Sequence, residues 1–239
     1  MSSDSLVIIP TYNEKGNIKN IARKVLSLPG DFHLLIVDDG SPDGTAAIVK
    51  NLMKEFDGRL FIIERAGKLG LGTAYIAGFQ WALKRSYEFI FEMDADFSHN
   101  PDDLLRLKAA CVNGADLAIG SRYVKGGNVK NWDVKRVLMS YFASFYVRTV
   151  LWMKVKDTTA GFKCYRRRVL EALPLDNIKF IGYAFQIEMK YLAHKLKFKI
   201  AEVPITFIDR QVGISKMSKG IFKEAFWGVI QMRLGKHGK

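Results

Sequence analysis

Where an apolar run ends, three acids fall at alternate positions: Glu92, Asp94 and Asp96 of FEMDADFSH. Residues of an extended strand rise about 3.3 Å each and alternate between faces, which predicts Asp94 and Asp96 on one face, roughly 7 Å apart. Two carboxylates at a strand end can bracket a hard divalent ion, Mg2+ or Mn2+. Such ions take oxygen ligands and complete their shell with water and substrate phosphate. An ion so held neutralises a diphosphate as it departs. Glu92 lies farther back, within the buried-looking FIFEM, and is read as support either for the metal ligands or for the fold.

Polar residues close the other apolar runs too. VDDGSPDGT offers Asp38 and Asp39, either of which can accept hydrogen bonds from a base or ribose, then Asp43 and Thr45 as caps for a following helix. In PTYNE, Tyr12 can lie along a base and Glu14 can accept hydrogen bonds from it. Asn13–Glu14 reads as well as a plain helix start.

The elements that must position these residues alternate. Strands are expected at 6–10, 33–39, 59–65, 89–96 and 116–122, with helices at 15–27, 43–57, 71–86 and 101–113. That order predicts an α/β fold with a mostly parallel sheet covered by helices on both faces. Ligands of such sheets bind outside the carboxyl ends of the strands. PTYNE, VDDGSPDGT, DADFSH and GSRY therefore converge on one edge.

The charge is unevenly spread. The 239-residue chain holds 37 Lys+Arg and 24 Asp+Glu, a net +13; residues 1–121 carry −3 and residues 122–239 carry +16. An anionic partner for the second half is implied. Within it, residues 135–155 read as a helix rich in aromatics. Its longest uncharged run, Val137–Val147, is 11 residues, too short to span a bilayer, which takes about 20. Either burial in a core or insertion in a membrane interface accommodates it. Ile221, Phe222, Ala225, Phe226, Val229 and Met232 form a second stripe among lysines. Cys111 and Cys164 read as buried, reduced thiols of a cytosol-like compartment, and no secretory leader is expected before the first strand.

PTYNE, VDDGSPDGT, KLGLGTAY, MDADFSH, GSRY, WDVKRVLMS, DTTAGFKCY, GYAFQIEM and EVPITFIDRQVGISK follow one another over nearly the whole chain. In these the sequence resembles the dolichyl- or polyprenyl-phosphate mannosyltransferases, inverting glycosyltransferases of the GT-A fold. The resemblance implies a Rossmann-like sheet with C-terminal amphipathic interface helices. It implies a catalytic domain over 1–216, its nucleotide-sugar half at about 1–121 and its acceptor-facing part at about 122–216. A basic helix without a transmembrane span would occupy 217–239. It places Pro10, Tyr12, Glu14, Val37 and Asp39 around a guanine. Asp94, Ala95 and Asp96 would meet the diphosphate, with Asp94 and Asp96 as metal ligands and Ser98 as a weak third. Arg122, Arg136 and Ser140 would hold the lipid phosphate. Arg210 and Lys216 would belong to a loop closing over both phosphates.

The implied reaction transfers mannose from GDP-mannose to polyprenyl (dolichyl) phosphate, releasing GDP, at the cytosolic face of a membrane, with attachment through the anionic lipid surface or a partner subunit. Its nucleophile is a phosphate oxygen, already charged at pH 7 because a monoester's second pKa lies near 6, so no general base is required. Asp96, Arg122 and Arg136 would carry the chemistry, and guanidinium forks suit the phosphate. A single displacement would convert an α-linked donor into a β-linked product.

Transfer of glucose from UDP-glucose to the same acceptor is the nearest rival. A dinucleotide-binding oxidoreductase fails because Tyr75 stands where GLGTAY would need a third glycine. A basic membrane- or nucleic-acid-binding protein would have no use for Asp94 and Asp96, and no nucleic-acid partner is expected.

Overall fold

The computed structural model describes residues 3–209 and 219–235. Apolar runs too continuous for a half-solvated sheet form β1 (Ser5–Thr11), β2 (His33–Asp38) and β3 (Leu60–Glu64), joined by α1 (Ile18–Leu26) and α2 (Thr45–Met53). Such runs suit parallel strands covered on both faces. On β1, Leu6 and Ile8 enter one apolar cluster while Val7 and Ile9 enter the other. In α1, Ile18, Ile21, Ala22, Val25 and Leu26 are buried at helical spacing, and Pro29 follows closely after its end.

The chain continues through α3 (Leu71–Leu83), β4 (Phe89–Glu92), α4 (Asp103–Val112), β5 (Leu117–Ser121), β6 (Asn128–Lys130) and α5 (Val134–Leu151). It then forms β7 (Lys163–Arg166), α6 (Arg167–Ala172), α7 (Tyr183–Lys195), β8 (Ile200–Pro204), β9 (Thr206–Ile208) and α8 (Lys219–Arg233). The main sheet runs β3-β2-β1-β4-β7-β5-β8, parallel except at β7; β6 and β9 form a separate parallel ribbon. Successive strands run outward from β1 to β3, and the chain then crosses back to place β4 on the other side of β1. The crevice at that reversal is where open α/β sheets bind ligands.

Two expectations are corrected. The strand expected over 89–96 stops at Glu92, so Asp94 and Asp96 occupy the turn beyond it rather than alternate positions of a strand. On one side β7 pairs no farther than Lys163, opposite Glu92. On the other, the ladder would next reach Pro10, which has no N–H to donate. The second correction is β7 itself, an antiparallel strand in mid-sheet that the alternating pattern had left unassigned.

The aromatic helix α5 is largely uncovered. Only Ser144, Val147 and Leu151 are buried, whereas Leu138, Met139, Tyr141, Phe142 and Phe145 are exposed. The last stripe divides: Val229 and Met232 are buried in the cluster that also holds Phe180 and Phe185, while Phe226 is half exposed and stacks on Tyr146. Both cysteines are buried and free.

Candidate active site

A cavity of about 450 Å³ opens along the carboxyl edge of the sheet. At one end, the β1 and β2 loops are tied together. Asp38 is buried and accepts from Thr11 Oγ1 at 2.8 Å and from the Ser41 hydroxyl at 2.6 Å. Asp43 accepts from the Thr45 and Lys15 backbones, and the Glu14 N–H donates to Thr45 Oγ1. Asp43 and Thr45 therefore lace two loops together, while the N-cap of α2 is Gly44, at a left-handed φ of 88°, rather than either of them as expected. This framework leaves Pro10, Tyr12, Glu14 and Asp39 on the cavity wall. Asp39 is gripped by Arg65, whose Nε donates at 2.7 Å, and Lys68 lies 5.3 Å from the centre of the Tyr12 ring. Val37 is fully buried within the sheet and off the wall.

In the middle, Asp94, Ala95, Asp96 and Ser98 line the cavity together. The Ser98 backbone N–H donates to Asp96 Oδ1 at 3.0 Å, across a turn whose Phe97 has a left-handed φ of 59°. His99 stacks on Phe162, and burial drives its pKa down to about 4, leaving a neutral ring with Nδ1 3.9 Å from Asp94. Among the described residues no three His, Cys, Asp or Glu side chains converge on one point. Two aspartates are nonetheless a fitting donor set for a hard ion that keeps waters and substrate phosphates as its other ligands.

Glu92 is spent on structure. Fully buried, it sits 3.0 Å from Lys163 Nζ and accepts from Tyr165 and Gln186, each at 2.8 Å. Lys190, also buried, donates to the carbonyls of Thr158, Ala160 and Gln186. Three acceptors match the three donors of an ammonium, even as burial and then Lys163 push its pKa well down.

At the far end stand the arginines. Arg122 follows β5 directly. Its Nε and Nη2 hold the two Asp157 oxygens at 2.7 and 2.6 Å, and Nη2 also donates to Thr159 at 2.8 Å. The fork expected to face a phosphate is thus taken by Asp157, and the N–H bonds of Nη1 are left for a ligand. Burial alone would lower the Arg122 pKa and raise that of Asp157. Their mutual attraction outweighs it and moves both the other way.

Arg136 is fixed by its place in α5. Asp133 caps the helix by accepting from the Arg136 backbone N–H at 2.8 Å. The Arg136 guanidinium reaches Asp209 at 2.7 Å. Ser140, one turn farther on, accepts from the Tyr123 hydroxyl and stands off the cavity wall. Arg210 and Lys216 lie outside the described residues.

The model of glycosyl transferase family 2 matches residues 6–173. A polyprenol monophosphomannose synthase of Mycolicibacterium smegmatis is 47% identical over 230 residues, covering 94% of this chain and 87% of that one. The chain belongs to glycosyl transferase family 2. An undecaprenyl-phosphate mannosyltransferase of Micrococcus luteus is 44% identical, over 96% of this chain and 93% of its own. Among solved structures, glucosyl-3-phosphoglycerate synthase from Mycobacterium tuberculosis with Mn2+, UDP and glucosyl-3-phosphoglycerate aligns at TM-score 0.70 and 18% identity, over 96% of this chain and 79% of that one. A Pyrobaculum calidifontis mannosyltransferase in complex with GDP-Man and Mn2+ aligns at TM-score 0.60 and 13% identity, over 100% of this chain and 66% of its own. These two likenesses show the GT-A fold.

As a family 2 glycosyltransferase, the chain places its acids and arginines on a single cavity. Sequence reasoning passed over Asp157, Thr159, Lys68, His99 and Trp132, all of them engaged at or beside its wall. The signal lay in the quoted motifs themselves: Lys68 stands in KLGLGTAY, His99 in MDADFSH, Trp132 in WDVKRVLMS, and Asp157 and Thr159 in DTTAGFKCY.

Proposed function

We propose that this glycosyltransferase moves mannose from GDP-mannose to the phosphate of a polyprenol, with inversion, giving a β-linked polyprenyl phosphate mannose and GDP. The observation that carries the reading is the arrangement of one cavity, with acids at its middle and two braced arginines at its end. Support comes from the two relatives, both named for making such mannolipids, and from the neighbour bound to GDP-Man and Mn2+.

In this reading Tyr12, Glu14 and Asp39 seat the base and ribose. Asp94 and Asp96 are the residues to hold a divalent ion, Mg2+ or Mn2+, which supplies neutralisation of the departing diphosphate when bound. Arg122 and Arg136 align the acceptor phosphate behind the anomeric carbon, and that alignment is the main work asked of the protein because the nucleophile is already an anion. Arg210 and Lys216 complete the grip on the phosphates, whereas Ser140, off the wall, accepts from Tyr123 beside Arg122.

The acceptor's isoprenoid tail requires a route to a membrane. No helix among the described residues is long and apolar enough to cross one. The exposed aromatic face of α5, on a half of the chain with charge +16, fits attachment at an anionic lipid surface.

The test is an end-point assay by mass spectrometry. Protein is incubated with a polyprenyl phosphate, Mg2+ or Mn2+, and either GDP-mannose or UDP-glucose, with EDTA controls. A metal-dependent gain of one hexose on the lipid from GDP-mannose alone is expected. Gain only from UDP-glucose would keep the acceptor and replace the donor.

A further inference from the structure

Trp132 has no part in the site as assigned so far, yet it lines the cavity beside both arginines. The guanidinium carbon of Arg136 lies 4.1 Å from its ring centroid, and that of Arg122 lies 5.5 Å away. Both distances fall within the reach of cation–π attraction. The ring is itself set edge-on against Phe207 of β9, with centroids 5.3 Å apart. A carboxylate occupies one edge of each guanidinium, Asp157 for Arg122 and Asp209 for Arg136. Two like charges are thereby gathered on one cavity, both within reach of the same aromatic ring.

The ring acts through its faces. Its Nε1–H is buried and makes no hydrogen bond among the described residues, so it offers its neighbours a negative π surface and a shape. Two guanidinium groups that address one phosphate must converge in spite of their repulsion. A carboxylate edge on each lowers that repulsion, and a common indole sets the spacing.

We propose that Trp132 is a positioning residue for anion recognition, holding Arg122 and Arg136 so that both address a single phosphate. This inference rests on the reading of that end of the cavity as the acceptor-phosphate site.

Steady-state kinetics of Trp132→Leu and Trp132→Phe, with GDP-mannose and a short-chain polyprenyl phosphate, test it beside thermal midpoints from circular dichroism. The expected result for Trp132→Leu is an acceptor KM raised about tenfold, with the donor KM and kcat within about twofold of wild type. Trp132→Phe should recover part of the loss, since it keeps a smaller π face while giving up the unbonded N–H and the second ring. An unchanged acceptor KM, an equal rise in both KM values, or a Phe variant as impaired as the Leu variant overturns the proposal. Trp132→Met replaces the Leu variant if that one does not fold; failure of both to fold assigns the ring to packing and likewise overturns it. Absence of transfer to polyprenyl phosphate by the wild type is a separate result, visible before any variant is compared. It would remove the acceptor reading on which the inference stands.

Discussion

At the residue scale, the charged groups of the cavity are each held by a neighbour: Asp39 by Arg65, Arg122 by Asp157 and Arg136 by Asp209. Asp96 is held by the Ser98 backbone N–H and faces the cavity. Asp96→Ala should cost on the order of 10²- to 10⁴-fold in turnover, the range expected when a metal's several kcal/mol of charge stabilisation is lost. The circular dichroism spectrum should not change. Wild-type turnover in that variant would remove the metal assignment. If Arg136 grips the acceptor phosphate as proposed, Arg136→Ala removes charge-assisted hydrogen bonds of about 1.5–3 kcal/mol each, so the acceptor KM should rise at least tenfold while the donor KM stays put. An equal change in both would place Arg136 elsewhere in the reaction. The Arg122–Asp157 pair gives a pH prediction. In the folded chain the Asp157 carboxyl stays below its ordinary 3.8. Above that value both folded and unfolded chains are ionised, and the pair contributes in full. As pH falls below it, the unfolded chain takes up the proton first, and the contribution shrinks until the folded pKa is passed. Urea unfolding across pH 3 to 7 should show this loss only at the acid end. Asp157→Asn, which leaves a buried guanidinium without its charge partner, should lower stability by about 3–5 kcal/mol at pH 7 and flatten the acid slope.

At the element scale, α3 packs in close contact with both β1 and α7. α3 lies so near β1 that a Cβ on Gly78 would meet Ile8 Cγ2 at 2.7 Å, and one on Gly72 would meet the Phe185 ring at 2.8 Å. Ile8 is a buried, β-branched residue in mid-sheet and cannot swing aside. Gly78→Ala gains about 1 kcal/mol in helix propensity but overpacks the interface at a cost of about 1–3 kcal/mol. The urea midpoint should therefore fall; a rise would mean that α3 can lift from β1 without loss. The short ribbon of β6 and β9 joins elements of the site. The Ile208 N–H donates to the Ser98 carbonyl at 3.1 Å, which ties β9 to the acid turn, and the next residue, Asp209, meets Arg136.

At the scale of the whole molecule, the exposed apolar helix α5 belongs to the half of the chain that carries the net charge of +16. Phe142 and Phe145 are 63% and 55% exposed on one helix that the core hardly covers. An isolated exposed aromatic needs no explanation, but several along one helix make a patch of the kind that meets lipid or protein. Replacing both by serine should weaken sedimentation with anionic vesicles by tenfold or more, since each phenyl buries about 1.5–3 kcal/mol of apolar surface. The thermal midpoint and turnover on a short, water-soluble acceptor should hold. A matched fall in midpoint and vesicle binding would show that these rings support the fold instead.

What the sequence determined by itself follows from local physics. Continuous apolar runs marked five strands, and helical spacing marked the helices between them, because strand and helix periods differ and parallel sheets bury both faces. The polar residues closing those runs marked the edge where a ligand binds, since topology alone puts strand ends together. The tertiary structure decided the rest through contacts between distant residues. β7 is four residues long, and Lys163 within it masks its apolar pattern; only pairing with β4 and β5 makes it a strand. β4 ends at Glu92 because its neighbours stop pairing there, a fact absent from the alternation of Glu92, Asp94 and Asp96. The fork of Arg122 turns to Asp157, 35 residues along the chain, because a buried guanidinium cannot be left without a counter-charge.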